Sequence, residues 1–291
     1  MSVNLSPIAL GLVLLAALCH ACWNLALKRI GQPRLGFIGL MSVVETVIWL
    51  PLALLVVDEA IFLSPLAWLA MFGSAALHIV YFWLLTSAYG RGDLGVAYPI
   101  ARATGPLLSA IFAILVLGER PSLMELIGAL AIIAGSLTVG FSTAKSLRSA
   151  DWSKSIGLAL LCGLTIAAYT VWDQQSVKAW ALPVVGFYWG QLLVRAALCI
   201  PWMVRDRHLM VGWVQRDWRW ILVIGVLSPL AYQMVLYAMT LAPLSLVAPL
   251  RESSILFAIL LGALFLGETD LRRRLSGALL MLAGLTIITV F

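Results

Sequence analysis

The chain has 291 residues, of which 63% are apolar and only 11% charged, with 19 Lys+Arg against 13 Asp+Glu and a mean hydropathy of +1.03. Soluble domains carry about 25% charged residues, so a water-soluble enzyme is excluded. Four cysteines, 23 glycines and 12 prolines likewise exclude a disulfide scaffold or a collagen-like chain. The composition is that of a polytopic membrane protein.

A membrane-spanning helix needs about 17–25 mainly apolar residues. Ten such runs follow in chain order, at about 7–27, 35–57, 65–89, 94–117, 122–141, 155–175, 183–204, 218–240, 244–266 and 272–290. Short polar or Pro/Gly-containing segments separate them. The longest interruptions, 142–155 and 205–217, are too short to house an extramembrane domain. The first run has no basic residue ahead of it and reaches Lys28 only at its end, so it reads as a retained span and not a signal peptide. Cys19, Cys22, Cys162 and Cys199 all fall inside spans and read as packed small residues; no metal site is expected.

With ten spans, the odd-numbered loops carry fourteen Lys and Arg residues and the even-numbered ones only Arg120 and Lys178. Positive residues stay in the cytoplasm, so this count places both termini outside. The basic pI thus reflects topology, and no nucleic-acid partner is expected.

The halves of the chain repeat. Leu117-Gly118-Glu119 matches Leu266-Gly267-Glu268 at a shift of 149, as do Gly128 with Gly277, Gly135 with Gly284, and Arg102 with Arg251. A shift of 150 pairs Phe37 with Phe187, Pro51 with Pro201 and Pro99 with Pro249. Five spans per repeat force the second copy to enter the membrane upside down, the arrangement of many secondary carriers, whose substrate site lies between the halves near the midplane. The expected architecture is therefore all-α, with ten transmembrane helices in two inverted five-helix repeats, 1–143 and 144–291.

His20-Ala21-Cys22-Trp23-Asn24 with Lys28-Arg29, Ala97-Tyr98-Pro99-Ile100-Ala101-Arg102, Leu117-Gly118-Glu119 leading into Gly128–Gly135, and the echoes Ala248-Pro249 and Leu266-Gly267-Glu268 resemble the EamA-type permeases of the drug/metabolite transporter superfamily. The resemblance covers the whole chain. It implies carriage of small metabolites, amino acids prominent among them, through a cavity lined mainly by spans 1, 3, 4, 6, 8 and 9. It also implies cytoplasmic termini, against the charge count.

Ionisable groups inside spans cost several kcal/mol each and need a partner, a wet cavity or a function. Seven lie near the middle of their runs: His20, Glu45, His78, Arg102, Arg195, Arg251 and Glu252. Glu45 and Arg195 occupy equivalent positions in spans 2 and 7, six residues before Pro51 and Pro201. They are expected to form an interhelical ion pair, either locking the halves together or opening and closing as a gate. Arg102 and Arg251 follow Pro99 and Pro249, whose kinks free carbonyls and offer hinges; an Arg beyond such a kink can hold a carboxylate. Three Arg against two Glu tilt the cavity toward anions or zwitterions. His20 and His78 are candidates for proton coupling. Trp23, Asn24, Tyr81, Tyr98, Tyr169, Trp172, Gln233, Tyr237 and Glu252 complete the candidate substrate-binding set.

The expected function is a secondary transporter, read as an exporter, of amino acids or related carboxylates in the cytoplasmic (inner) membrane, as a monomer or homodimer and without cofactor. The alternatives are other organic anions such as phosphonates or sugar derivatives, then a channel or non-transporting sensor. A membrane enzyme would need a His-rich motif or a Gly-rich phosphate loop, which the sequence lacks.

Overall fold

The computed structural model describes residues 6–30, 34–89, 94–142, 152–266 and 271–290. Every regular element in them is helical, in the order α1 (Pro7–Ile30), α2 (Leu35–Val56), α3 (Pro65–Tyr89), α4 (Leu94–Leu115), α5 (Leu123–Ser142), α6 (Trp152–Gln174), α7 (Val184–Leu198), α8 (Ile200–Arg205), α9 (Arg207–Leu241), α10 (Leu244–Leu250), α11 (Ser254–Leu266) and α12 (Leu271–Val290). A π-helical turn, Gln175–Ala179, extends α6, and a 3-10 turn, Arg251–Ser253, joins α10 to α11.

Helix starts follow local chemistry. Ser6-Pro7 and Ser64-Pro65 place a capping hydroxyl ahead of a proline, and the Ser6 and Ser64 Oγ atoms accept from Ala9 N and Ala67 N at 3.1 and 3.3 Å. At α5, Ser122 and Glu125 form a reciprocal capping box, Glu125 N donating to Ser122 Oγ and Ser122 N to Glu125 Oε2. Helix α4 ends in a turn around Gly118, whose φ of +72° suits glycine. That turn aims Glu119 at another helix. Its carboxylate accepts from Leu244 N at 2.8 Å and Ser245 N at 2.9 Å, capping α10 in the other half of the chain.

Among the described residues, seven helices are long and apolar enough to cross a membrane, and three further apolar helices, Pro99–Leu115, Val184–Leu198 and Arg274–Val290, are shorter. These helices overlap the apolar runs read from sequence. One boundary differs. The polar stretch 205–217 is not an interruption but mostly helix: α9 starts at Arg207 and runs for 35 residues. No proline or glycine pair breaks it there, and Arg216 and Asp217 pair side by side at 2.7 Å.

Helix contacts come in matched sets. Helix α3 packs on α6 and α7, and their counterparts α9 on α1 and α2; α4 packs on α6, and α11 on α1. Contacts on α2–α7 and α5–α12 fix the antiparallel sense. Gly128 faces Gly284 and Gly135 faces Gly277, with backbones so close that a Cβ on any of the four would lie within 2.8 Å of the facing carbonyl oxygen. Exchanging each residue for its repeat counterpart turns the first contact into the second, as a twofold axis between inverted repeats requires. Likewise Gly36 meets Asp206, between α8 and α9, and Gly186 meets Val57 beyond α2. These small-residue faces bring helices together where lipid offers no hydrophobic drive.

Gly284→Val should therefore overpack α5 against α12 and cost on the order of 1–3 kcal/mol, lowering the melting temperature in detergent by several degrees. Gly212→Ala, whose Cβ would meet nothing within 4 Å, should leave it unchanged or raise it, since glycine weakens a helix interior by roughly 0.5–1 kcal/mol.

Candidate substrate site

Two ion pairs tie the halves together, and both join residues 150 positions apart. Arg195 of α7 donates from Nη2 to Glu45 Oε2 at 2.6 Å, and from Nε to Ser42 Oγ at 2.7 Å. Ser42 in turn donates to the Ile38 carbonyl oxygen at 2.8 Å. Glu45 and Arg195 are buried, 2% and 6% exposed. Arg102 of α4 donates from Nε to Glu252 Oε2 at 3.1 Å, from Nη1 to His20 Nε2 at 3.0 Å and from Nη2 to Ser254 Oγ at 3.0 Å. A guanidinium has no acceptor, so His20 Nε2 accepts and the ring is the neutral tautomer with its proton on Nδ1. Trp23 stands edge-on to that ring, centroids 4.8 Å apart.

Arg251 has a different environment. Its neighbour Glu252 faces Arg102, because successive helical residues point about 100° apart. Among the described residues Arg251 makes no ion pair. Its guanidinium lies 5.8 Å from the centre of the Tyr232 ring and beside Tyr169. Around it the rings form a continuous wall. His78 stacks on Tyr169 at 4.2 Å and meets Tyr232 edge-on at 5.5 Å; Tyr81 meets Tyr169 at 5.7 Å, and Tyr188 meets Tyr232 at 5.4 Å. His78 Nδ1 lies 2.9 Å from the Ser74 carbonyl oxygen, which can only accept, so the proton sits on Nδ1. The site thus draws on α1, α3, α4, α6, α7, α9 and the 3-10 turn.

Of the residues singled out from sequence, His20, Trp23, Arg102 and Glu252 gather on one side, and His78, Tyr81, Tyr169 and Arg251 on the other. Asn24 donates from Nδ2 to the His20 carbonyl oxygen at 2.7 Å, a bond within its own helix. Trp172 is a wedge: its Nε1 donates to the Ala70 carbonyl oxygen at 2.9 Å and its ring fills the space over Gly73. Gln233 is buried on α9, one residue past Tyr232 and turned away from it. Tyr237 does not belong to the site; it is 45% exposed on the outer face of α9, where an apolar body with a polar tip suits lipid contact. The Tyr98 side chain lies outside the described residues. Pro99 is buried against Gly140 inside an unbroken α4, whereas Pro249 directly precedes the 3-10 turn.

Sequence reasoning missed Asp173, a fully buried carboxylate on α6 to which the Tyr232 hydroxyl donates at 2.6 Å. It lies within the run 155–175, two residues from its end, and is not among the seven ionisable residues placed near the middle of their runs. The available signal was its i, i+4 spacing from Tyr169, which places both on one helix face. Counting it, the buried centre holds three Arg and three carboxylates, and the excess positive charge expected from sequence disappears.

Models of known families match the chain twice, at residues 7–141 and 153–290, and both matches are to the EamA-like transporter family. The chain belongs to this family. The chain is thus a multi-pass membrane protein built of two repeats. Its relatives include two proteins named "Uncharacterized transporter" from Helicobacter pylori. One, from strain ATCC 700392 / 26695, is 26% identical over 189 residues, 62% of this chain and 61% of the relative. The other, from strain J99 / ATCC 700824, is 25% identical over the same shares. The match thus spans about three-fifths of either relative. A solved crystal structure has the same fold, with a TM-score of 0.80, 17% identity and coverage of 97% of this chain and 96% of the other.

Removing one partner of a buried ion pair leaves the other uncompensated, at a cost of roughly 3–5 kcal/mol. Glu45→Arg in this transporter should therefore lower the melting temperature sharply, and the swap Glu45→Arg/Arg195→Glu should recover most of the loss. Circular dichroism melts of the purified proteins in detergent decide it; a swap no better than the single variant would count against a pair facing itself across the repeat axis.

Proposed function

We propose that the protein is a secondary carrier that exports amino acids or related carboxylates across the cytoplasmic membrane. Ten spans in two inverted repeats, 1–143 and 144–291, move by alternating access. The observation that carries this reading is Arg251, a permanently charged fork at the centre of the bundle with aromatic rings and no carboxylate partner among the described residues. Arg251 is half-buried; a charge withdrawn from water is expensive, and an anionic group on a substrate offsets that cost while bound. The bidentate geometry of a guanidinium suits a carboxylate.

Alternation between two inverted repeats exchanges their conformations. A contact between equivalent residues maps onto itself under that exchange, so Glu45–Arg195 and Arg102–Glu252 are pivots that persist in both states. Gating falls to off-axis contacts, which map onto different pairs. Arg34 and Asp206, 3.8 Å apart at the edge of a cavity of about 630 Å³ lined also by Trp83, Trp202 and Arg205, are one such contact. The turn beyond Pro249 supplies the flexible joint. His78, whose Nε2 is left to exchange a proton while Nδ1 is held, is the better of the two histidines for proton coupling; His20 is occupied as an acceptor for Arg102.

Counterflow in proteoliposomes tests the reading: vesicles preloaded with mixed amino acids are screened for transient uptake of each labelled one without an imposed gradient. The expected result is counterflow that Arg251→Gln reduces at least tenfold while its melting temperature stays within a few degrees of wild type. Arg102→Gln should lose both, because it orphans Glu252. Absence of counterflow for every amino acid, from folded protein, overturns the substrate class.

A further inference from the structure

The carrier reading assigns one pole of a ligand, and the structure carries an unassigned second one. Asp173 is 0% exposed; Oδ2 accepts from Tyr232, but Oδ1 has no hydrogen-bond partner. Buried polar atoms are nearly always paired, and a buried carboxylate oxygen left bare asks for an occupant. Its surroundings are short of partners too. The Thr170 hydroxyl on the preceding turn of α6, and both amide atoms of Gln191, one turn from Tyr188 on α7, are buried and unpaired. Ser74 stands beside the carboxylate on α3.

Tyr232 joins the two poles. Its ring lies under Arg251 and its hydroxyl on Asp173, so the guanidinium carbon and the carboxylate oxygen are at most about 11 Å apart, given hydrogen bonds near 2.8 Å. A small α-amino acid hydrogen-bonded at both ends through contacts of about 2.9 Å spans roughly 8–9 Å between such poles. The charges facing this space are Arg251 and Asp173, with Tyr169, Tyr188, Tyr232 and His78 between them; the other two Arg residues are engaged by Glu45 and Glu252.

We infer that Asp173 is the ammonium-binding residue of the substrate site, and that Asp173 and Arg251, on either side of Tyr232, select zwitterionic α-amino acids over simple carboxylates. The inference rests on the carrier reading above. The ammonium group donates to Oδ1, the carboxylate accepts from the guanidinium, and the Tyr232 hydroxyl holds Asp173 in place as a positioning group.

The test is competition against counterflow of whichever L-amino acid the wild type carries, using its methyl ester, which lacks the carboxylate, and its desamino acid, which lacks the ammonium. A site that pairs both groups rejects analogues missing either one, and both competitors should be at least about tenfold weaker than the parent on the wild type. In Asp173→Asn the disadvantage of the desamino acid should shrink to within about threefold, while the ester stays as poor as before. Tyr232→Phe, which keeps the ring and removes only the hydroxyl, should move the desamino competition in the same direction and serves if Asp173→Asn does not fold. Unchanged rejection of the desamino acid by folded Asp173→Asn or Tyr232→Phe protein overturns the assignment and leaves the carrier reading standing. A wild type with no amino-acid counterflow overturns both.

Discussion

Two buried ion pairs between equivalent positions constrain everything else in this bundle. In an inverted repeat, a residue that touches its own counterpart lies on the pseudo-twofold axis. With identical halves, each contact would set like charges a few ångströms apart in a low-dielectric interior, which is prohibitive. Divergence resolves the conflict by placing Glu45 against Arg195 at 2.6 Å and Arg102 against Glu252 at 3.1 Å. Two such points fix the axis, and the glycine contacts of α5 with α12, and of α2 and α7 with their neighbours, follow the same symmetry.

Much of this frame was legible in the sequence. Apolar run length marked the helices because each must satisfy its backbone internally, and Ser-Pro pairs marked two of their starts. The Glu45–Arg195 contact followed from register alone. The Arg102 register did not: a shift of 149 pairs Arg102 with Arg251, but the contact made is with Glu252, 150 residues on. One residue of slip in a helix turns a side chain by about 100°, so a motif match good enough to show the repeat was too coarse to choose the partner. Glu119 was visible only as part of a shared tripeptide. Its job, capping a short helix 125 residues away, depends on a positive-φ glycine aiming it, and no local pattern encodes the distance.

Asp173 and Tyr237 failed in opposite directions for one reason. Both are polar groups on otherwise apolar helices, and hydropathy registers them without saying which way they point. Asp173 was passed over and is fully buried; Tyr237 was read as lining a cavity and faces outward. Helical phase could have separated them. Asp173 shares a face with Tyr169, whereas Tyr237 is five residues from Tyr232 and so lies about 140° around the helix from it. The phase is useful only once some residue is known to face inward, and that knowledge comes from the packed bundle.

The symmetric frame carries an asymmetric site. Around Pro99, α4 continues unbroken through positions 101–103, and the first repeat contributes a single arginine there, tied up by three partners. Beyond Pro249 the helix tightens, and the 3-10 turn at the equivalent positions presents Arg251, Glu252 and Ser253 in succession. A 3-10 turn has about three residues per turn against about 3.6 in an α-helix, so neighbouring side chains diverge by about 120° instead of about 100°. That divergence sends Glu252 to the axis and leaves Arg251 facing the tyrosines. The tightened helix of the second repeat thus supplies both the partner of Arg102 in the first repeat and a second arginine that faces the tyrosines. The shift there from i→i−4 toward i→i−3 bonding, Ser254 N donating to the Arg251 carbonyl oxygen, is what turns Arg251 and Glu252 differently from the residues around Arg102.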